Sequence, residues 1–272
     1  MISIFKYTRR ENKMRINQYL AKCGTASRRK CEEIVTKGRV MVNGSIITDL
    51  SFQVDEGKDE VLVDGKPAVP EEGLEYILLY KPKDVVSAVS SKYDEVTVTD
   101  IVESRGKRLF PVGRLDKDSS GLLLLTNDGD FAYRMTHPKF NKKKVYELTV
   151  RGRISPENVQ KLTSGVFIDG EKVRADEAKL LKARSAESLL LISLHEGKNR
   201  QIRKMCEAVG HRVTELKRIS EGGLTLGDLK PGEYRNLTQK EVISLMNSTK
   251  NAPVHKKPAE AGRPVRRSGR GR

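Results

Sequence analysis

Apolar residues near the start of the chain are spaced for two short helices. They recur three or four positions apart, as one face of a helix requires: Ile16 and Leu20 in the first stretch, and Cys31, Ile34 and Val35 in the second. Gly24 is a suitable stop for the first helix, Ser27 can cap the second, and Gly38 would end it. The pattern therefore predicts a pair of helices before residue 39.

Two β-hairpins are predicted directly after the helices. Residues 40–47 contain Asn43-Gly44, a dipeptide typical of two-residue turns between antiparallel strands. Asp64-Gly65 has the same place within residues 61–69. The first quarter of the chain is thus predicted to fold as two helices followed by hairpins.

The chain becomes richer in strands beyond residues 70–73, a predicted linker with the sequence Pro-Glu-Glu-Gly. Strands are predicted at five places: residues 76–80, 108–112, 122–126, 144–150 and 188–194. Helices are predicted after Asp128, after Ser155 and from Asn199. Thr238-Gln-Lys-Glu241 forms a capping box, which predicts a last helix after it.

Composition indicates a polyanionic partner. The 272 residues are enough for two domains at about 150 residues per domain, and they carry a net charge of +16 with a pI of about 9.7. A surface this basic attracts phosphate backbones, so nucleic acid is the first expectation. An anionic membrane is disfavoured because no run reaches about 18 apolar residues, and the start, MISIFKYTRRENK, has no apolar signal core. A cytoplasmic location is therefore expected.

The positive charge is concentrated in two segments. The helical region has seven basic residues, Arg15, Lys22, Arg28, Arg29, Lys30, Lys37 and Arg39, against two glutamates. Residues 248–272 hold eight basic residues against Glu260, without an aromatic residue or an apolar period. A basic disordered tail is predicted there. The alternatives are a merely solvated helix face in the first case and a dispensable extension in the second.

The chain offers no recognisable ligand set for a metal or a cofactor. Cys23, Cys31 and Cys206 are odd in number and lack C-x-x-C spacing, so ordinary reduced thiols are expected. His137 and His211 have no spacing that would make them metal ligands or members of a catalytic triad. Neither a G-x-x-x-x-G-K-[ST] loop nor a G-x-G-x-x-G motif is present. No metal and no small-molecule cofactor are predicted.

One carboxylate has an unusual position. In GRLDKDSSGLLLLTNDGD, residues 113–130, Asp116 lies between Arg114 and Lys117 at the edge of a polar turn, just before an apolar run at residues 122–125. Such a carboxylate is either a turn device or a reagent displayed on a loop that the buried strand fixes. Asp118 and Ser119 could serve the turn instead, which favours the second interpretation.

Two parts of the chain resemble known families. TASRRKCEEIVTKGRVMVNG, within the helix, helix, hairpin layout, resembles the alpha-L RNA-binding domain named after ribosomal protein S4. GRLDKDSSGLLLLTNDGD resembles the aspartate motif of pseudouridine synthases, in the branch that modifies ribosomal RNA and has an alpha-L domain in front. Three further stretches agree in the expected order: LLYKPKDVVSAV, KKVYELTVRG and HEGKNRQIRKMCEAVGHRVTELKRI, at residues 78–89, 143–152 and 195–219.

The resemblance implies an α+β fold and an isomerase activity. A small alpha-L domain at residues 14–70 would precede a catalytic domain with a mixed, mainly antiparallel sheet at residues 74–247. The reaction would convert a uridine of ribosomal RNA to pseudouridine, and the partner would be ribosomal RNA or a pre-ribosomal particle, bound by a monomer. The implied chemistry needs no cofactor.

The resemblance also assigns roles to individual residues. Asp116 would be the essential carboxylate, which either attacks carbon or removes a proton from the sugar. Arg203 would pair with Asp116, keeping the carboxylate charged and fixing its direction. Tyr146 would pack on the target uracil with its hydroxyl close enough for proton transfer. Arg114 would hold the rearranged strand by its phosphate. Alternatives from the residues alone are a core tyrosine at 146, on one strand face with Leu148 and Val150, and a solvent-facing arginine at 203.

Further contacts with the substrate are expected from the segment at residues 195–206. Lys198 and Arg200, at the start of a predicted helix, could receive a backbone phosphate, although a capped helix start is an equal alternative. Ile202 is a further substrate-binding candidate, on a predicted buried stripe with Met205, Cys206 and Val209 that leaves Arg203 beside or outside it. RNA binding by the first domain is assigned to six basic residues: Arg15, Arg28, Arg29, Lys30, Lys37 and Arg39.

The choice of ribosomal subunit depends on finer similarities. LLLLTNDGDFAYRMTHPKF and HEGKNRQIRKMCEAVGHRV look more like the large-subunit enzymes, whereas LGDLKPGEYRNLT also suits the small-subunit ones. We therefore expect modification of large-subunit rRNA. A rival of another class is a non-enzymatic RNA-binding assembly factor, which would keep its full function without Asp116.

Overall fold

The computed structural model describes residues 13–104 and 106–247. The predicted basic tail at residues 248–272 lies outside the described residues and stays a prediction. Among the helices that are described, none combines the length and the apolar character needed to cross a membrane.

The N-terminal part contains the predicted helix pair and hairpins. Its elements are β1 Lys13–Arg15, α1 Ile16–Lys22, α2 Arg28–Thr36, β2 Val40–Val42, β3 Ser45–Ile47, β4 Gln53–Asp55, β5 Val61–Val63 and β6 Lys66–Pro67. Ser27 caps α2 through its hydroxyl, which accepts from the Lys30 N–H at 3.3 Å, as predicted. The strands form a four-stranded antiparallel sheet in the order β3-β2-β5-β6 and a separate β1-β4 pair. Cys31, Ile34 and Val35 are buried in the core of this part, which confirms the predicted stripe.

The larger part is built on one nine-stranded sheet. Its elements are β7 Tyr76–Lys81, α3 Val98–Ile101, β8 Phe110–Val112, β9 Ser120–Thr126, α4 Gly129–Thr136, β10 Lys144–Arg151, α5 Pro156–Ser164, β11 Val166–Ile168, β12 Glu171–Val173, β13 Glu177–Ala183, β14 Glu187–Leu194, α6 Gln201–Ala208, β15 Val213–Glu221, β16 Leu224–Thr225, β17 Tyr234–Asn236 and α7 Gln239–Asn247. All five predicted strands are present, and α6 begins two residues later than predicted.

The sheet is mainly antiparallel, so the predicted α+β class is confirmed. Its strand order is β13-β14-β10-β15-β9-β7-β17, with β8 beside β9 and β16 beside β15. The contact between β9 and β15 is parallel, through Ser120 with Lys217 and Gly121 with Arg218. It joins the strand that follows Asp116 to a strand close to the end of the domain.

Strand β9 is covered on both faces, which explains its apolar run. Leu123 and Leu125 lie in the large core that also contains Leu148 and Val150 of β10. Leu122 and Leu124 face the opposite side and pack in a second core with Phe131 of α4, Met135 of α4 and Leu245 of α7. All four leucines are fully buried, so the strand is a rigid support for the loop before it.

The segment between the two parts is joined to both of them. The Glu71 carboxylate accepts from the Arg108 N–H at 3.0 Å and from the Asn127 side chain at 3.1 Å, and the Glu71 N–H donates to the Lys22 carbonyl at 3.4 Å. The buried apolar residues of the N-terminal part form a core of their own. We therefore keep residues 70–73 as the proposed boundary between domains at 14–70 and 74–247.

The predicted capping box of α7 is present and supplies a stability test. Glu241 accepts from the Thr238 N–H at 2.8 Å and pairs with Arg235 at 2.6 Å, and these contacts lower the Glu241 pKa to about 2. We expect Glu241→Gln to lower the free energy of unfolding by about 1 to 2 kcal/mol at neutral pH.

Acid should remove that difference. The Glu241 pKa is depressed in the folded state, so its contribution is complete above the ordinary value of 4.5 and is lost as the pH falls towards about 2. Urea unfolding of both proteins across this range measures it, with exposed Glu72→Gln as the control. A difference that stayed constant with pH would contradict the assignment.

Candidate active site

Asp116 lies in a tight loop between β8 and β9, which we call the Asp116 loop (residues 113–119). The Ser119 N–H donates to the Asp116 carbonyl at 3.0 Å, so Lys117 and Asp118 form the corners of a turn. The Asp116 side chain is 35% exposed, and within residues 13–104 and 106–247 its carboxylate accepts no hydrogen bond from the turn. The turn is closed by backbone groups, which leaves the carboxylate available for chemistry.

Two buried side chains fix the backbone of the loop from below. The Ser87 hydroxyl donates to the Leu115 carbonyl at 2.8 Å and accepts from the Leu115 N–H at 3.1 Å. The fully buried Lys81 ammonium, at the end of β7, donates to the carbonyls of Ser119 at 2.7 Å and Lys117 at 3.4 Å. Burial lowers the Lys81 pKa to about 8, against the opposing effect of nearby carboxylates that include Asp116. The loop is therefore fixed by contacts that do not use the Asp116 carboxylate.

Arg203 approaches the loop from the opposite side, and here the structure corrects two expectations. Its side chain is only 8% exposed, so Arg203 is buried rather than beside or outside the stripe of α6. Its guanidinium also binds Asp118 instead of Asp116, with contacts to the Asp118 carbonyl at 3.0 Å, the Asp118 carboxylate at 3.2 Å and the Ser119 hydroxyl at 3.2 Å. The reason is that the loop and the Val213 carbonyl of β15 cover the side of α6 that periodicity left open.

Among the described residues, Arg200 is the cation that forms an ion pair with Asp116. Its guanidinium lies 3.7 Å from the Asp116 carboxylate and donates to both oxygens of Asp118, at 3.3 and 3.2 Å. Burial acts to raise the Asp118 pKa, but Arg200 and Arg203 together lower it. Asp118 thus stays ionised and connects both arginines to the loop.

The other residues predicted in this segment are placed differently. Lys198 makes an ion pair with Glu171, and Arg200 turns towards the loop, so neither cation is presented alone at the start of α6. Ile202 is buried with Met205 and Cys206, which confirms the stripe and gives Ile202 a packing role. Its contact with substrate stays a prediction.

A cleft of about 680 Å³ opens beside the loop. Its walls include Tyr146 on β10, and its lining has seven lysine and arginine side chains against three carboxylates. Tyr146 is 9% exposed and shares one face of β10 with Leu148 and Val150, as the alternation predicts. Burial raises the Tyr146 pKa, and the Asp116 charge acts in the same direction. A basic cleft with an aromatic wall suits a nucleotide.

Arg114 lies at the rim of this cleft. Its side chain is exposed, and it makes no ion pair with any residue of the described ranges. An unpaired guanidinium at such a rim is suited to bind phosphate.

The six basic residues predicted to bind RNA are all exposed on the N-terminal part. Lys30 pairs with Glu33 and Arg39 with Asp64, whereas the remaining four have no ion pair among the residues the structure describes: Arg15, Arg28, Arg29 and Lys37. Unpaired surface cations favour contact with a polyanion.

Three buried polar residues of the site had no role in the prediction from sequence. Lys81 and Ser87 lie in the motif LLYKPKDVVSAV, and Arg218 lies in the last motif on β15. The position of Lys81 directly after the apolar run YILLY could have indicated its burial, because it continues the same buried strand. Ser87 and Arg218 have no comparable local signal.

Comparisons with known proteins identify the family of this chain. The family described as RNA pseudouridylate synthase matches residues 75–208, and the S4 domain family matches residues 14–61. A Bacillus subtilis protein named ribosomal large subunit pseudouridine synthase B is 42% identical over 85% of this chain and 95% of its own length. An RNA pseudouridine synthase of Aquifex aeolicus without an assigned target is 36% identical over 86% of this chain and 94% of its own length.

A solved structure has a similar overall fold. The crystal structure of a pseudouridylate synthase covers 85% of this chain and 99% of its own, with a TM-score of 0.60 and 29% identity. With the loop and cleft described above and a relative 42% identical along nearly its whole length, the chain belongs to the RNA pseudouridine synthase family of enzymes and carries an S4 domain in front of the catalytic domain.

Proposed function

We propose that this enzyme converts a specific uridine of large-subunit ribosomal RNA to pseudouridine, with Asp116 as the essential carboxylate. The single observation that carries the proposal is the exposed Asp116 carboxylate on a loop fixed by other groups, beside a basic cleft walled by Tyr146. The choice of large-subunit rRNA is supported by the name of the Bacillus subtilis relative.

The reaction is an isomerisation in which all atoms are kept. The bond between uracil N1 and the ribose C1′ breaks, the base rotates, and C5 bonds to C1′. C5 loses one proton and N1 gains one. Asp116 attacks carbon or removes a proton from the sugar, the Arg200 guanidinium lies 3.7 Å from its carboxylate, and Tyr146 packs on the base.

The target uridine must leave its stack to reach such a site. Flipping costs a few kcal/mol, which phosphate contacts on the bound strand can offset. Arg114 at the rim and the cations of the cleft are suited to these contacts. Lys198, although paired with Glu171, also lines the cleft and can exchange that exposed partner for a phosphate.

The proposal is tested by mapping pseudouridine across both ribosomal RNAs from cells with the gene, without it, and with the gene carrying Asp116→Asn. We expect one large-subunit signal that only the wild-type gene supports. A signal lost from the small-subunit RNA would transfer the assignment to that subunit. If no signal changed, while Asp116→Asn restored every growth defect of the deletion, the non-enzymatic assembly role would replace the proposal.

RNA docking is assigned to the N-terminal domain, which gives a second prediction. Arg28→Glu with Arg29→Glu should weaken RNA binding by about tenfold at moderate salt and reduce the slope of log affinity against log salt by about 1 to 2, because phosphate contacts are lost. The rate at saturating RNA should stay unchanged. Titrations at several salt concentrations measure both effects.

The control has the same change in net charge at a different place. Lys179 and Lys182 are exposed on the edge strand β13, and their double replacement by glutamate should affect binding less. Equal weakening by the two pairs would show that only overall charge matters.

A further inference from the structure

Arg218 is an almost fully buried arginine directly opposite Tyr146 on the neighbouring strand. The antiparallel pairing of β15 and β10 makes their side chains neighbours on one face of the sheet, and Arg218 acts to lower the Tyr146 pKa. Arg218 Nε donates to the Leu122 carbonyl at 2.7 Å, and Nη2 lies 3.2 Å from the Glu221 carboxylate. Arg218 and Glu221 are each 2% exposed, and both line the cleft with Tyr146.

Stability alone is a weak reason for this charged pair. Removing two charges from water costs more than their attraction commonly returns, and apolar replacements of such pairs are often as stable or more stable. The Arg218–Glu221 pair instead lies in the wall of the cleft next to Tyr146, where it can act on a group that takes part in the reaction.

The backbone fixes Arg218 relative to the Asp116 loop. Gly121, five residues after Asp116, packs against the Arg218 backbone in the parallel contact of β9 and β15. The Nε contact to Leu122 ties the guanidinium to the same strand. The position of Arg218 is therefore set by the strand that directly follows the Asp116 loop.

Arg218 restricts what the Tyr146 hydroxyl can do. A guanidinium only donates hydrogen bonds, so in any hydrogen bond between them the tyrosine oxygen is the acceptor. The hydroxyl proton then points away from Arg218. Burial raises the Tyr146 pKa, whereas Arg218 opposes that rise. The direction of the hydroxyl proton and the lowering of the Tyr146 pKa by Arg218 would both prepare the oxygen for proton exchange.

We propose that Arg218, held by Glu221, is a positioning residue that orients the Tyr146 hydroxyl for proton transfer during isomerisation. This inference rests on the proposed function. Because C5 loses a proton and N1 gains one, the hydroxyl can serve the transfer without a net change in its own protonation. Arg218 is assigned no contact with the reacting base, so its effect would pass through the neighbouring tyrosine.

The test is a double-mutant cycle with Arg218→Met and Tyr146→Phe in the full-length enzyme. The probes are transcripts of large-subunit and small-subunit rRNA that contain uridine tritiated at C5, and the readout is the single-turnover rate of tritium release. We expect Arg218→Met to slow release on the order of 100-fold while RNA affinity stays within about twofold. In the Tyr146→Phe background, the same change should have almost no further effect.

Two further variants keep the test decisive if Arg218→Met folds poorly. Arg218→Lys keeps the charge without the planar fork and should recover part of the rate, and Glu221→Gln keeps the shape of the partner and should give a smaller loss that Tyr146→Phe again removes. Circular dichroism spectra identify which variants are folded. A purely structural role of Arg218 predicts equal losses in both backgrounds, and that result would overturn the inference.

The outcomes separate this inference from the proposed function. The cycle uses whichever transcript the wild-type enzyme modifies, so an error about the subunit does not affect it. Release by the wild type together with additive losses contradicts only the role of Arg218. Absence of release from both transcripts contradicts the proposed function and this inference with it.

Discussion

Asp116→Asn is expected to abolish pseudouridine formation, with a loss of at least about a thousandfold in single-turnover rate, while RNA binding stays within about twofold of the wild type. The substitution removes the negative charge and keeps the shape of the side chain. The loop should keep its geometry because Ser87, Lys81 and Arg203 bind its backbone and Ser119, not the Asp116 carboxylate. The defect should therefore be chemical and not structural.

A second carboxylate in the same loop is the matched control. Asp118→Asn removes one charge two residues away and weakens the contacts with Arg200 and Arg203, so a partial loss of rate is expected. Tritium release at saturating RNA and a binding titration separate the two variants. Measurable isomerisation by purified Asp116→Asn would refute the catalytic assignment.

Gly121→Ala is expected to destabilise the folded protein by about 3 to 5 kcal/mol, the largest stability effect that we predict. Gly121 has a φ of +112°, which residues with a side chain rarely adopt. A Cβ there would overlap the Arg218 carbonyl oxygen and lie 2.6 Å from the Arg218 nitrogen. Both are backbone atoms of a paired strand, so they cannot move away as a flexible side chain would. The parallel contact of β9 and β15 would open, and the support of the Asp116 loop would be lost.

Gly223→Ala is the control that separates the cost of the backbone conformation from the cost of the steric overlap at Gly121. Gly223 has a φ of +95°, but nothing lies within 4 Å of the place that an added Cβ would occupy, so only the conformational cost of about 1 kcal/mol is expected. Urea unfolding at a constant denaturant slope measures both variants. Equal destabilisation of the two would disprove the close approach of Gly121 to Arg218.

The elements that could be predicted are those with a local pattern. The helix caps, the turns at Asn43-Gly44 and Asp64-Gly65, and the apolar strand β9 depend on neighbours a few residues away, and the structure confirms each of them. Strands β13 and β15 were not predicted. β15 has the sequence VTELKRISE, whose charges hide its alternation, because Arg218 and Glu221 form an ion pair inside the domain.

The partners of charged side chains could not be predicted in the same way. Periodicity placed Arg203 near the surface of α6, since it describes one helix and not what packs on it. The loop that covers Arg203 lies more than 80 residues earlier in the chain. Lys81, likewise, meets the carbonyl of Ser119 at a separation of 38 residues.

By itself, the sequence determined the order of the domains, the fold class and the family, because each of these is expressed in short motifs and local spacing, and it predicted the carboxylate at position 116 in the same way. Only the tertiary structure decided that Arg200 pairs with Asp116, that Arg203 binds Asp118, and that Arg218 lies opposite Tyr146. The physical reason is distance along the chain: electrostatic partners are chosen by packing between β9, β10, β15 and α6, which no spacing within one element encodes.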